Sequence, residues 1–131
     1  MARPPSRYPT ERELEILKLL WDRGPLTVRQ VRDALHRSGG GEPAYTSVMT
    51  VMNLMVDKRY LGRNKQGNGY VYQAQVKRSA TTGQMLRDLV SRAFDGAAAS
   101  VALNLLEEAD LDAGQIEQLK QVVEAKIRET Q

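Results

Sequence analysis

Apolar residues recur every three or four positions over most of the chain, which predicts a mainly helical fold. Predicted helices open at capping-box sequences, in which Thr or Asp is followed three residues later by Glu or Gln: Thr10 with Glu13, Thr27 with Gln30, Thr81 with Gln84, and Asp112 with Gln115. Gly24-Pro25 ends the first helix, and a glycine-rich loop over residues 38–43 ends the second.

A third helix is predicted to begin near Tyr45 and to have two unlike faces. One face is apolar and the other carries small, uncharged polar residues: Val48, Val51, Met52 and Met55 against Thr46, Ser47, Thr50 and Asn53. Two short strand patterns follow, over residues 61–66 and 70–76, and they flank Gly67-Asn68-Gly69, in which Asn68-Gly69 favours a tight hairpin turn. Helix, helix, helix, hairpin is the order of a winged helix-turn-helix domain. We therefore predict that domain for residues 10–78, after an irregular basic arm over residues 1–9.

Residues 79–131 are predicted to form a helical dimerisation domain. Their amphipathic helices offer few aromatic residues and a thin core, and about 50 residues are marginal for independent stability. A second copy would bury the remaining apolar positions: Met85, Leu89, Phe94, Val101, Leu105, Ile116, Leu119, Val123 and Ile127.

Charge is divided between the two parts. Residues 1–78 carry 14 Lys or Arg against 7 Asp or Glu, a net +7, whereas residues 79–131 carry 5 against 9, a net −4. A basic half indicates a polyanionic partner such as double-stranded DNA, although a basic face is often plain solvated surface.

Other classes of function lack the residues they need. The chain has no cysteine, no signal-peptide pattern and no run of about 20 apolar residues, so we expect a soluble, cytoplasmic protein without disulfides. No nucleophile elbow, phosphate loop or metal-ligand spacing is present, and His36 is the only histidine. We expect no enzyme activity, no cofactor and no metal.

The polar face of the third helix is the predicted DNA-reading surface. Hydroxyl and amide side chains there suit base edges in the major groove: Thr46, Ser47, Thr50 and Asn53. Neighbouring groups are predicted to bind phosphates: Arg29, Arg32, Tyr45, Lys58, Arg59, Arg63 and Lys65. Two alternatives remain, a winged-helix protein–protein adaptor and a sequence-indifferent nucleic-acid binder.

Residues 44–53, AYTSVMTVMN, resemble the recognition helix of the penicillinase-repressor family, which includes BlaI, MecI and CopY. The likeness continues through residues 14–21, residues 27–31, the Tyr-x-Tyr wing strand and the helical C-terminal tail. It therefore covers nearly the whole chain, and the combination of motifs is more specific than any one of them.

The resemblance implies a homodimeric repressor on a palindromic operator. It also implies relief by cleavage in the C-terminal part, triggered by a membrane-bound sensor protease that responds to β-lactams; the cleaved bond maps to Asn104-Leu105. The family usually has Arg where this chain has Leu54, Gly where it has Arg59, and Arg where it has Asn68, so the operator sequence is not carried over unchanged. Leu105 stands in place of the Phe of the cleaved bond, so the cleavage is not carried over unchanged either. Without cysteine, thiolate copper sensing is excluded.

Overall fold

The computed structural model describes residues 8–39 and 41–131, so most of the predicted arm lies outside the described residues. Within them the chain is mainly helical with one small sheet, which confirms the predicted fold class. The elements in chain order are α1 (Glu11–Arg23), β1 (Leu26–Thr27), α2 (Val28–Arg37), α3 (Tyr45–Asp57), β2 (Leu61–Gln66), β3 (Gly69–Ala74), α4 (Arg78–Ala93), α5 (Ala98–Glu108) and α6 (Ala113–Glu129).

The chain divides into two compact units, residues 1–86 and residues 87–131. The division falls inside α4, whereas the predicted domain boundary between residues 78 and 79 lies at the start of that helix. The roles predicted for the two domains stay predictions at this point.

The core of the first unit joins the apolar stripes of α1, α2 and α3 to the base of the hairpin. Its fully buried side chains come from all four elements: Ile16, Leu17, Val31, Leu35, Met52, Met55 and Leu61. Met52 and Met55 belong to the apolar stripe predicted for the third helix, and they are completely inaccessible to solvent. Packing of this stripe leaves the opposite face of α3 outside the core.

The strands form one antiparallel sheet in the order β1-β3-β2. The two residues of β1 were not predicted; Leu26 pairs with Tyr72 of β3. The turn was predicted at Asn68-Gly69, but Gln66 pairs with Gly69, so the central residues are Gly67 and Asn68. Gly67 has a φ of 62° whereas Asn68 does not take a positive φ, a combination typical of a type II′ turn with Gly in its first central position.

Three of the four predicted capping boxes are confirmed, those at Thr10, Thr27 and Asp112. The fourth, at Thr81, is wrong, because α4 already begins at Arg78. Thr81 lies within α4 rather than at its start, and it is buried from solvent. Its hydroxyl donates to the Lys77 carbonyl oxygen, four residues earlier, at 3.0 Å. This back-bond is the alternative that Thr has to capping when it lies within a helix.

Side chains of α1 hold the segment that leaves β3. The Trp21 indole nitrogen donates to the Val76 carbonyl oxygen at 3.0 Å. The Arg78 guanidinium lies over the Trp21 ring, 5.6 Å from its centroid, and is ion-paired with Asp22 at 2.9 Å. Trp21 therefore closes the core where the first unit continues into α4.

The second unit contains the end of α4 together with α5 and α6, and none of its residues is buried. Large apolar side chains on these helices are exposed to solvent, from Leu119 at 39% to Leu105 at 59% and Val122 at 67%. Among the described residues no single helix is long and apolar enough to cross a membrane; only the bent pair α4 and α5 passes, on length and composition alone.

Candidate nucleic-acid interface

The outer face of α3 carries three exposed hydroxyl groups, those of Thr46, Ser47 and Thr50. They lie opposite Val48, which packs in the core at 3% exposure. The Thr50 hydroxyl donates to the Thr46 carbonyl oxygen at 2.9 Å, and its oxygen keeps the capacity to accept a hydrogen bond. This face therefore offers small hydrogen-bonding groups without a fixed charge, and hydroxyl groups of this kind are among those that contact base edges in the major groove.

Leu54 lies on the same outer face and is 50% exposed. No contact was predicted at this position, where the family usually has Arg. On a DNA-reading face an exposed aliphatic side chain suits the methyl group of thymine. Its exposure distinguishes it from Met52 and Met55 of the same helix, which are completely buried.

Asn53 is half-buried and differs from the other predicted base-reading residues. Its Oδ1 atom accepts two hydrogen bonds, one from Arg63 Nη1 at 2.6 Å and one from the Tyr72 hydroxyl at 2.8 Å. Arg63 lies on β2 and Tyr72 lies directly opposite it on β3, so both side chains are on the sheet face that meets α3. Helix α3 and the hairpin are thus joined through one amide oxygen.

The wing extends this face with two exposed cations, Arg63 and Lys65. Lys65 is paired with Tyr70 across the hairpin, and Tyr70 also lies under Arg63, whose guanidinium carbon is 4.7 Å from the ring centroid. Alternate residues of a strand point to the same side of a sheet, so the two cations share a face with Tyr70 and Tyr72. The predicted phosphate contacts of the wing are therefore brought together.

A cleft of about 440 Å³ lies between the start of α2, the first half of α3 and the wing tip. Arg29 and Tyr45, both predicted phosphate contacts, line it, and Tyr45 is 47% exposed. Arg29 occupies the first turn of α2, where the helix dipole disfavours a cation, so its charge does not serve the stability of that helix.

The loop between α2 and α3 is tied back to α2 by two side chains. Arg32 Nε donates to the Pro43 carbonyl oxygen at 3.1 Å, and His36 Nδ1 lies 3.1 Å from the Gly41 carbonyl oxygen. Arg32 was predicted as a phosphate contact. In the structure it is partly buried, and one of its donors holds Pro43, the residue before the N-cap of α3.

Lys58, at the C-terminal end of α3, is ion-paired with Glu13 of α1 at 2.8 Å. Glu13 is 4% exposed and also accepts from the Thr10 backbone amide at 2.8 Å. Burial raises the pKa of Glu13, but the hydrogen bonds from Lys58 and Thr10 and the Lys58 charge outweigh it, so the pKa lies below its usual value. Burial and the Glu13 charge raise the pKa of Tyr60, which packs beside the pair. One of the three Lys58 donors is thus used inside the protein, and phosphate binding by this residue stays a prediction.

Arg59 is exposed and has a φ of 67°, in the left-handed region that favours glycine. The Tyr60 amide donates to the Met55 carbonyl oxygen and the Arg59 amide to that of Val56, the two bonds of a Schellman motif at the end of α3. This geometry explains the glycine that the family usually has here. A cation stands at a position where glycine would be less strained.

The sequence pattern of the penicillinase repressor family matches residues 9–125. The chain belongs to the penicillinase repressor family. This family member is 24% identical to the penicillinase repressor of Bacillus licheniformis over 115 residues, 88% of each chain. It is 19% identical to the methicillin resistance regulatory protein MecI of Staphylococcus aureus strain N315 over 114 residues, 87% of this chain and 91% of MecI. The resemblance noted in the sequence is thus confirmed.

A solved structure, the complex structure of hsRosR-S4, is similar to this family member in fold. It covers 95% of each chain with a TM-score of 0.52 and 14% sequence identity. At that identity the likeness concerns the fold alone, and it agrees with a winged helix followed by a helical C-terminal part.

Proposed function

We propose that this chain is a transcriptional repressor that binds a palindromic operator as a homodimer and catalyses no reaction itself. Membership of the penicillinase repressor family supports repression of transcription. The observation that carries the DNA-binding part is the exposed hydroxyl face of α3 beside the two cations of the wing. In this proposal α3 enters the major groove and the wing lies against the adjacent backbone.

Base reading is assigned to Thr46, Ser47 and Thr50, and phosphate binding to the cations that surround them. The exposed cations are Arg29, Arg59, Arg63 and Lys65, with Tyr45 as a neutral donor. Phosphate contacts supply affinity and salt dependence, whereas contacts to base edges supply sequence choice. Arg32 and Lys58 are assigned mainly to holding α3 in place, with their remaining donors available to phosphates.

Dimerisation is assigned to the second unit. Besides the end of α4, it contains α5 with 11 residues and α6 with 17 residues. These helices leave apolar side chains exposed. Exposed apolar faces of this kind are rarely left to water in a stable protein. The predicted positions lie in this unit, except for Met85, which precedes it on α4. All are half-buried or exposed and so are available to a second copy: Met85, Leu89, Phe94, Val101, Leu105, Ile116, Leu119, Val123 and Ile127.

Relief of repression by cleavage at Asn104-Leu105 completes the proposal. Both residues are exposed, but they lie within α5. Because the bond is in a helix, a protease could cleave it only after the helix opened locally. The effector would be a membrane-bound sensor protease that responds to β-lactams.

Mass spectrometry of the protein from β-lactam-treated cells tests this step. We expect a fragment that ends at Asn104, and an intact chain under derepression would overturn it.

The experiment for the central proposal is a selection from genomic DNA. Full-length protein is incubated with sheared DNA of its own genome and excess random competitor, and the retained fragments are sequenced. We expect a shared palindrome near promoters. Retention without a common motif would favour a sequence-indifferent binder. Absence of retention, or nucleic-acid binding whose affinity does not change with salt, would favour a protein–protein adaptor.

A further inference from the structure

Asn53 lacks the free acceptor that a base-reading asparagine needs. Bidentate recognition of adenine uses both ends of the amide, with the oxygen accepting from the base. In this protein the Asn53 oxygen already accepts from Arg63 at 2.6 Å and from the Tyr72 hydroxyl at 2.8 Å. An amide oxygen has two lone pairs, and both are used. Arginine only donates, so the oxygen must face Arg63 and the amide cannot be turned round.

Arg63 is held from two directions. Asn53 accepts from one of its terminal nitrogens, and the Tyr70 ring lies against its guanidinium at 4.7 Å. Tyr72 fixes Asn53 in turn, since its ring is 2% exposed and its hydroxyl reaches the same oxygen. A guanidinium has five N–H donors in one plane, so most of the donors of Arg63 remain available along an exposed edge.

We propose that Asn53 is a positioning residue for Arg63, and that Arg63 makes the planar, two-pronged contact with DNA at the junction of α3 and the wing. This inference rests on the proposed DNA-binding function. It moves Asn53 from base reading to support of the wing. The chemistry that Arg63 would recognise is a pair of adjacent acceptors, either the O6 and N7 atoms of a guanine or two oxygens of a phosphate.

Advance orientation matters because a free arginine side chain loses much rotamer freedom when it binds. In this protein the Arg63 side chain already loses rotamer freedom when the domain folds, because Asn53 and Tyr70 hold it in place. Removing Asn53 would leave the Arg63 charge in place but release its guanidinium. We therefore expect Asn53→Ala to weaken binding only as far as Arg63 depends on it.

A double-mutant cycle on operator binding by the full chain tests the proposal. We expect Arg63→Ala to weaken binding about 30-fold, Asn53→Ala about 10-fold, and the double variant about 30-fold, because the second change removes support from a contact already lost. Independent contributions would multiply to about 300-fold and would overturn the proposal. Failure of the wild-type chain to bind any operator would instead overturn the proposed function.

A folding control accompanies the cycle, because Asn53→Ala leaves the buried Tyr72 hydroxyl without this partner. Repeating the cycle in a Tyr72→Phe background removes that hydroxyl while the ring stays in the core. We expect the same non-additivity there, and additive losses would overturn the proposal. Guanidinium NMR signals of Arg63 supply a second readout: Asn53→Ala should speed the rotation of its terminal nitrogens, and unchanged rotation would contradict the positioning role.

Operators altered one base pair at a time distinguish the two sources of acceptors. If Arg63 reads a guanine, the loss caused by Arg63→Ala vanishes on the operator in which that guanine is replaced. If it binds a phosphate, the loss is the same on every operator. Arg63→Lys retains the charge without the planar fork, so we expect it to recover less than half of the lost affinity on a logarithmic scale.

Discussion

Lys58 Nζ lies 2.8 Å from Oε2 of Glu13, so the end of the recognition helix is tied to the first turn of α1. The same carboxylate closes the capping box of α1 through the Thr10 amide. One buried side chain therefore completes a local helix start and also sets the position of α3. Pairs that include a nearly buried charge are costly to break from one side only, because the remaining charge loses its partner.

Replacing the carboxylate measures this tie. Gln is an accepted capping-box residue, so Glu13→Gln removes the charge while the cap stays available. We expect the free energy of unfolding to fall by about 1–2 kcal/mol, a value below that of a fully buried pair because Lys58 is partly exposed. Glu15→Gln is the matched control: its ion pair with Arg12 lies at the surface, and a loss below about 0.5 kcal/mol is expected. Equal losses would show that the Glu13 pair has no special role.

The same pair makes stability depend on pH. The pKa of Glu13 is lower in the folded protein than its ordinary value of 4.5, so folding favours the charged form. Its contribution is complete above that value and is lost as pH falls below it, through the lowered pKa of the folded state. Urea unfolding of wild type and Glu13→Gln between pH 6 and pH 3 should show their difference shrinking towards acid. A difference that grew towards acid would contradict the assignment.

Arg59 and Gly67 both have left-handed backbone, so adding glycine at the first should stabilise the protein and replacing glycine at the second should destabilise it. We expect Arg59→Gly to raise the free energy of unfolding by about 0.5–1 kcal/mol, because Arg59 has a φ of 67° at the end of α3. Gly67 has a φ of 62° with open space around its Cβ position, and Gly67→Ala should cost a similar amount. If Arg59 binds phosphate, Arg59→Gly also weakens operator binding, whereas Arg59→Lys keeps the binding. A destabilised Arg59→Gly would refute this account of the helix end.

The apolar stripe of α6 is the assigned dimer surface. Val123→Lys places a charge in that stripe, and we expect sedimentation equilibrium to show monomers at concentrations where the wild type is dimeric. Gln121→Lys adds the same charge on the opposite side of α6 and should leave the dimer intact. Dimers that survived Val123→Lys would remove this face of α6 from the interface.

Salt dependence separates phosphate contacts from other surface charges. Lys65→Ala should weaken binding to all sequences alike and reduce the slope of log affinity against log salt by about 1. Lys18→Ala removes another exposed lysine, from α1. Lys18 lines a groove with Ser38 and Gly39, at the other end of α2 from Arg29. The slope for Lys18→Ala should equal that of the wild type. The same slope for both variants would exclude Lys65 as a phosphate contact.

Features that depend on neighbouring residues in the sequence were predictable. The boxes at Thr10, Thr27 and Asp112 formed as expected because each cap satisfies donors within one turn of itself. Thr81 carries the same sequence signal, but the helix had already begun three residues earlier. The start of a helix depends on what its first turn packs against, which the local pattern does not contain.

Features that depend on the packing of distant segments could not be predicted. The two-residue strand β1 exists because β3 has an edge beside it, and no two-residue pattern indicates that. The polar face of α3 was predictable from helical spacing, but the occupation of the Asn53 oxygen was not. Arg63 and Tyr72 meet it only because they are cross-strand partners on a sheet that packs against α3.

Operator stoichiometry tests the central claim most directly. The full chain is titrated with three duplexes of equal length: the recovered palindrome, the same palindrome with one half-site scrambled, and a random sequence. We expect two chains on the intact palindrome, with half-site centres about 10 base pairs or a multiple of that apart. Scrambling one half-site should weaken binding at least about 100-fold. Equal affinity for all three duplexes, or one chain on the palindrome, would contradict the central claim.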